Sequence, residues 1–197
     1  MSHWRTPLDP AGYVGWVLKH LTDVYRRTGA DVPFGNPLPS HGTEMEGWFW
    51  RITDETSGRA LIALCSVNRQ PAGDWSTAAV GVHPGLVVRS GALEGARAEE
   101  SPFSVTAGDA SGSFQVGTDR VRFELGDLRL NMAITDPVTW PKAFGGGGVF
   151  SAIPFLNQYW HPYYLGGKAS GTVEYGAESW TFADAKVYAE RNWGAGF

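Results

Sequence analysis

From Glu46 onward the chain is a succession of short apolar, β-branched and aromatic segments broken by turn-forming residues. Such a pattern has few ways to bury itself. Candidate strands are residues 47–52, 60–67, 78–82, 86–89, 103–106, 113–116, 120–125, 128–133, 171–175 and 179–182. Several are joined by short turn signals, among them Asp54-Glu-Thr-Ser-Gly58, Gly117-Thr-Asp119, Gly126-Asp127 and Gly176-Ala-Glu178, so an antiparallel meander is the economical topology. Eight or more strands must close or pack to protect their edges. A mainly β fold is therefore expected: an antiparallel, up-and-down lipocalin-like β-barrel with an interior wide enough for one small apolar ligand. A β-sandwich fits the strand count almost as well. The 26 glycines agree with turn-rich β structure.

The N-terminal part has a different pattern. Asp9-Pro10 reads as an N-cap and first helical residue, and Val14, Val17, Leu18, Leu21, Val24 and Tyr25 recur at helical spacing until Gly29. One amphipathic helix is expected there, covering or plugging an end of the sheet, with Lys19, His20 and Arg26-Arg27 as its solvated face. Residues 30–45 hold Pro33, Gly35, Pro37, Pro39 and Gly42 and read as an ordered connector. The expected organisation is thus residues 1–45 as helix and connector and 46–197 as the β domain. Residues 94–101 read as a charged, solvated loop, and Gly145-Gly-Gly-Gly148 as a hinge bordered by aromatics.

Composition removes several function classes. A formal net charge of −4 without a dense Lys/Arg run argues against nucleic acid as a partner. The single cysteine, Cys65, lies in an apolar run, which rules out an internal disulfide and points to a buried, inert thiol. The five histidines show no metal-ligand spacing, no Gly-x-Ser-x-Gly elbow is present, and the phosphate-cradling glycine motifs are incomplete. Neither a metal nor a cofactor is expected. The first residues lack a secretory pattern and no stretch is apolar enough to span a membrane, so the expected location is cytoplasmic. An exposed aromatic rim would still allow peripheral contact with a membrane.

What remains is a set of carboxylic acids among aromatic residues: Glu46 before Gly47-Trp-Phe-Trp50, Asp184 after Trp180-Thr-Phe182, and Glu190 before Asn192-Trp193. Desolvation raises a carboxyl pKa, and an acid held protonated near neutral pH can protonate an alkene while electron-rich rings stabilise the cation. This pattern suits carbocation chemistry on a lipid. Each acid also has a plainer role: Glu46 in starting a strand, Asp184 in fixing a turn, Glu190 in an ion pair with Arg191 or another basic residue. His161, within Gln158-Tyr-Trp-His-Pro-Tyr-Tyr164, fits a proton shuttle beside phenols or, more simply, an aromatic cluster.

Glu46-Gly-Trp48, Trp160, Gly166-Gly167, Gly171, Gly176, Phe182-x-Asp184-Ala185 and Tyr188-x-Glu190-x-Asn192-Trp193-Gly194 together resemble the tocopherol cyclase family, in order and spacing over residues 150–197. The resemblance implies two lipocalin-like β-barrel halves, of which this chain is the first, with a second β domain beyond Phe197. It also implies an isoprenoid or prenylated quinol ligand and a cofactor-independent reaction. In that reaction an acid protonates the double bond of a phytyl-type tail, and a quinol hydroxyl captures the tertiary cation to form a chromanol. Carried onto this sequence, Asp184 or Glu190 is the candidate acid, with Tyr188 and Asn192 as hydrogen-bonding orienters. Glu46, Trp48, Trp160, His161 and Trp193 are the candidate substrate-binding wall. Binding of a lipid without chemistry, as lipocalin-like barrels do, is the competing expectation.

Overall fold

The computed structural model describes residues 10–27, 44–100, 102–140, 150, 153 and 156–195. One helix, α1 (Pro10–Arg27), precedes twelve strands: β1 (Met45–Asp54), β2 (Arg59–Asn68), β3 (Trp75–His83), β4 (Val87–Glu94), β5 (Arg97–Glu100), β6 (Phe103–Asp109), β7 (Gly112–Gly117), β8 (Arg120–Leu125), β9 (Leu128–Val138), β10 (Gln158–Tyr164), β11 (Gly166–Tyr175) and β12 (Glu178–Gly194). All twelve belong to one antiparallel sheet in the order β4-β3-β2-β1-β12-β11-β9-β8-β7-β6-β5, with β10 also paired to β12. The fold is mainly β, as the strand pattern predicts.

Chain order and sheet order agree except where β12 joins β1 and where β11 pairs with β9, β10 being set aside against β12, so the two ends of the meander meet in the middle of the sheet. β12 is long enough to have two different neighbours along one edge. Its first half pairs with β11 and its last part with β10, while β1 takes the other edge from Lys186 to Gly194. The sheet curls until β4 approaches β6, β7 and β8. Two contacts tie it there: Arg89 of β4 pairs with Asp127 of the β8–β9 turn at 2.5 Å, and the Glu94 N–H donates to Asp109 at 3.0 Å.

Alternation along every strand sends one set of side chains into this curl. Trp48, Trp50, Ile52, Leu61, Val80, Val105, Phe114, Phe123, Leu130, Trp180 and Phe182 are among the residues packed there. The inner face is filled with large side chains. Tyr13, Val14, Trp16, Leu18 and Leu21 of the helix are each more than half exposed, so the expected cover over a sheet end is not made by these residues. Asp9, residues 30–43 of the 30–45 connector and the Gly145–Gly148 hinge lie outside the described residues.

Three elements differ from the sequence expectation. The charged segment 94–101 contains strand β5, paired with β6 from Arg97↔Thr106 to Glu100↔Phe103. As the last strand of the sheet it has a free edge, where charged side chains are tolerated and discourage further pairing. The aromatic cluster around His161 is strand β10, and the closing motif is the continuation of β12 rather than a segment after it.

Register in β12 is adjusted by a bulge opposite Ser170: Ala185 pairs with Ala169 and Phe182 with Gly171. Gly171 sits at φ +154°, and a methyl group on it would overlap the Asn131 carbonyl and reach Met132 of β9. Only a residue without Cβ allows β9 and β11 to approach this closely. Gly171→Ala is expected to cost about 2–4 kcal/mol in urea denaturation. Gly91→Ala, whose Cβ would point into open space, is expected to change stability by less than about 1 kcal/mol.

Candidate functional site

Along the end of β12, burial alternates residue by residue: Val187, Ala189, Arg191 and Trp193 are buried, while Tyr188, Glu190 and Asn192 are partly exposed on the other face. The neighbouring strands sort the remaining candidates in the same way. In register, β1 sets Phe49 beside Glu190, Trp48 beside Arg191 and Glu46 beside Trp193, and β10 sets Trp160 beside Asn192 and His161 beside Arg191. The residues singled out in the sequence therefore divide into two groups on opposite faces of the sheet.

The inner group is a buried ionic cluster. The Glu46 carboxylate accepts from Arg191 Nη2 on one oxygen and from Arg69 Nη2 at 2.8 Å on the other. Glu46 and Arg191 are fully buried, while the Arg69 side chain keeps 30% of its surface. The Arg191 guanidinium lies 4.5 Å from the centre of the Trp193 ring, which stacks in turn on Tyr159. His161, also buried, has its pKa lowered to about 4, first by burial and then by the Arg191 charge. A neutral imidazole is what this site holds. Trp48 packs against Phe103 deeper in the core.

The outer group converges on Glu190. Its Oε2 accepts from the Tyr188 hydroxyl at 2.6 Å and the Trp160 indole N–H at 2.9 Å, and its Oε1 accepts from the Asn192 amide at 3.4 Å. Spacing explains the convergence: residues 188, 190 and 192 share a face of one strand, and Trp160 reaches the same spot from β10. The Tyr188 phenol has its pKa pushed up, by desolvation first, then by the hydrogen bond to Glu190 and the charge of that group, with Arg51 opposing. Tyr188 is thus held as an O–H donor.

Glu190 and Asn192 stand at the side of an open pocket of about 320 Å³ on this outer face. Met45, Phe49 and Leu64 give it an apolar wall, with Ser66, Asn68 and Thr77 toward β3. The Ser66 hydroxyl accepts the Thr77 N–H at 3.0 Å and so replaces a rung of the β2–β3 ladder. Cys65 is buried, which pushes its thiol pKa up.

Asp184 stands apart from both groups. It is the bulge residue of β12, at φ 52°, with an exposed side chain and its N–H donated to Ser170 Oγ at 3.0 Å. The structure thus brings together Tyr188, Glu190, Asn192 and Trp160 in one place, and Glu46, His161 and Trp193 in another. The sequence candidates do not include Met45, Phe49 and Leu64; period-two alternation in 45–49 carries the signal for the first two, and Leu64 follows from its pairing with Phe49. Adjacency in sequence suggests Arg191 as a partner for Glu190, whereas strand alternation turns it to the other face and toward Glu46.

Among the described residues no three His, Cys, Asp or Glu side chains gather as a metal site, and no helix is long and apolar enough to cross a membrane.

No protein-family model matches the chain. Local likeness to individual proteins is present. A 50-residue segment, 25% of the chain, is 40% identical to "Probable tocopherol cyclase, chloroplastic" of Oryza sativa subsp. japonica, and 56 residues, 28% of the chain, are 34% identical to the tocopherol cyclase of Zea mays. The matched segments span 11% and 12% of those proteins. Sequence likeness links part of this chain to the tocopherol cyclases. Among solved structures, an AttH-type protein (NE1406) of Nitrosomonas europaea superposes with a TM-score of 0.55 at 15% identity, over 85% of this chain and 58% of the other. CghA, solved with Sch210972, gives 0.51 at 13% identity over 78% and 46%. At such identities the likeness shows the fold, an antiparallel lipocalin-like barrel sheet, and nothing of the chemistry.

Two measurements test the inner cluster. Removing one charge of a buried pair leaves the other uncompensated, so Glu46→Gln is expected to lose about 3–5 kcal/mol in urea denaturation. His161 contributes through pH. Its folded pKa lies below the unfolded value of 6.5, so the unfolded chain binds the extra proton between the two. The contribution is complete above pH 6.5 and is lost as pH falls toward 4. Between pH 7.5 and 5 the loss is expected to be about 2 kcal/mol, and urea midpoints for His161→Gln should lack this part of the slope.

Proposed function

We propose that the outer face around Glu190 binds an isoprenoid-tailed phenol and that Glu190 exchanges a proton with it, in a cyclisation of the tocopherol cyclase type. The observation that carries the proposal is the placement of one carboxyl group, oriented by three hydrogen-bond donors, beside an apolar pocket. The local likeness to tocopherol cyclases supports the reaction class.

In this reading the tail lies along Met45, Phe49 and Leu64. Protonated Glu190 gives its proton to an alkene of the tail, the π electrons form the new C–H bond, and a tertiary cation is left. The phenol oxygen attacks that cation, and its proton returns to Glu190. The sum is an isomerisation to a cyclic ether, with no net gain or loss of protons or electrons. Tyr188 and Asn192 keep the carboxyl group in position, and Trp160 adds an electron-rich ring near the developing charge.

One observation favours a second reading, binding without chemistry. Three donors on Glu190 satisfy a carboxylate better than a carboxylic acid, and such a group holds a ligand hydroxyl as an acceptor alone. Incubating the protein with a prenylated quinol separates the two. For cyclisation, Glu190→Gln should lower turnover at least about 100-fold and Tyr188→Phe by less, while quenching of tryptophan fluorescence by the quinol persists in both. Turnover unchanged in Glu190→Gln would remove the catalytic assignment, and quenching without turnover in the unaltered protein would establish the binding reading.

A further inference from the structure

The Glu190 pocket does not end at Glu190. Two residues further along β1 and β12, on the same outer face, Arg51 stands beside Tyr188, and beyond it Thr53 beside Lys186. A second open pocket, of about 600 Å³, is lined there by Arg51, Thr53, Glu55, Lys186 and Tyr188, with Leu165 and the Gly166–Gly167 backbone. A rise of about 3.4 Å per residue puts neighbouring side chains of one face roughly 7 Å apart, so the two pockets lie in succession along one face, with Tyr188 of the second hydrogen-bonded to Glu190 of the first, and an extended ligand can follow this track. Its character changes along its length: apolar at Met45, Phe49 and Leu64, a hydrogen-bonding centre at Glu190 and Tyr188, then cationic.

The cations are not equivalent. Lys186 Nζ is paired with Glu55 at 2.7 Å, so its charge is answered locally. Arg51 has no carboxylate partner among the described residues; its guanidinium carbon lies 5.7 Å from the centre of the Tyr188 ring, exposed on the track. A guanidinium held over a phenol ring, with its N–H groups unclaimed by an acid, is suited to a planar or tetrahedral oxyanion.

We propose that Arg51 is a specificity-determining residue and that the preferred ligand is an isoprenoid-tailed molecule whose polar head carries an oxyanion. The tail covers Met45, Phe49 and Leu64, the middle of the molecule faces Glu190, and the oxyanion binds Arg51. The orientation follows from charge: an anionic head at the other end would meet the apolar wall and the neutral Ser66, Asn68 and Thr77, with no cation lining that pocket, and at the centre it would meet Glu190. This inference rests on the assignment of the outer face as the ligand site and adds to it the direction of the ligand and the chemistry of its head.

The test uses farnesol, farnesoic acid and farnesyl monophosphate as probes, with tryptophan fluorescence as the readout, on the unaltered chain, Arg51→Gln, Arg51→Lys and the control Arg120→Gln. The expected result is that at least one anionic probe binds about fivefold or more tighter than the alcohol. The advantage should be lost in Arg51→Gln, partly kept in Arg51→Lys and unchanged in Arg120→Gln. The tighter of the two anions identifies the head as carboxylate or phosphate. Equal binding of all three probes, or an advantage that survives Arg51→Gln, would overturn the role of Arg51 and leave the outer-face site standing. Binding of none of them would overturn the site and this inference together.

Discussion

The pairing of β12 with β1 governs the rest of this molecule. It joins the beginning and the end of the meander in the middle of the sheet, and it decides which residues of the closing motif point inward. Because side chains alternate strictly, a slip of one residue would send Glu190 into the core and Arg191 out of it. The register seen has the opposite arrangement, and the Glu46–Arg191 pair is one of its consequences. Burying two charges is costly even when they are paired, and well-packed apolar residues often do as well or better for stability. What the pair provides here is discrimination: a shifted register would leave a buried charge without its partner, an alternative far less favourable than the native one.

The same alternation separates the buried layer from the proposed site. Arg191, His161, Trp193 and Glu46 make a dense inner layer in which Trp193 stacks on Tyr159 and covers the Arg191 guanidinium. Tyr188, Glu190 and Asn192 are interleaved with that layer along the chain, so their backbone is held by neighbours that are themselves buried. A carboxyl group on a strand clamped from both edges, by β1 and by β10, has little freedom to leave its donors. That rigidity is what a group exchanging protons with a bound molecule requires.

Much of this was legible in the sequence, for identifiable reasons. The strands of the meander announced themselves because apolar alternation and glycine turns are local signals, and β8 was bounded correctly at both ends, Arg120 and Leu125. The segment Arg97–Glu100 was hidden because its strand state comes from pairing with β6 at a free edge rather than from its own composition. β10 was hidden because a run of aromatics with a proline in it has no period to read. At the site, proximity in sequence misled: Glu190 and Arg191 are adjacent, yet the pleat turns them to opposite faces, and the partner of Arg191 is 145 residues away. Tyr188, Glu190 and Asn192 share a face for the same reason, which a strand assignment extended past Phe182 would have shown.

The expectation of a ligand inside the barrel came from fold analogy, and packing argues for a different location. Trp48, Trp50, Phe103, Phe114, Phe123, Trp180 and Phe182 occupy the interior together, and a guest there would have to displace side chains already at contact distance. On the outer face, by contrast, the strands present Phe49 and Leu64 next to Gly47, where the absence of a side chain leaves room beside β2. Polar groups converge there as well. A barrel whose core is solid can still offer a site, provided that one stretch of its outside is apolar and carries an oriented carboxyl group. In this chain that stretch coincides with the strand pair on which the whole sheet is built.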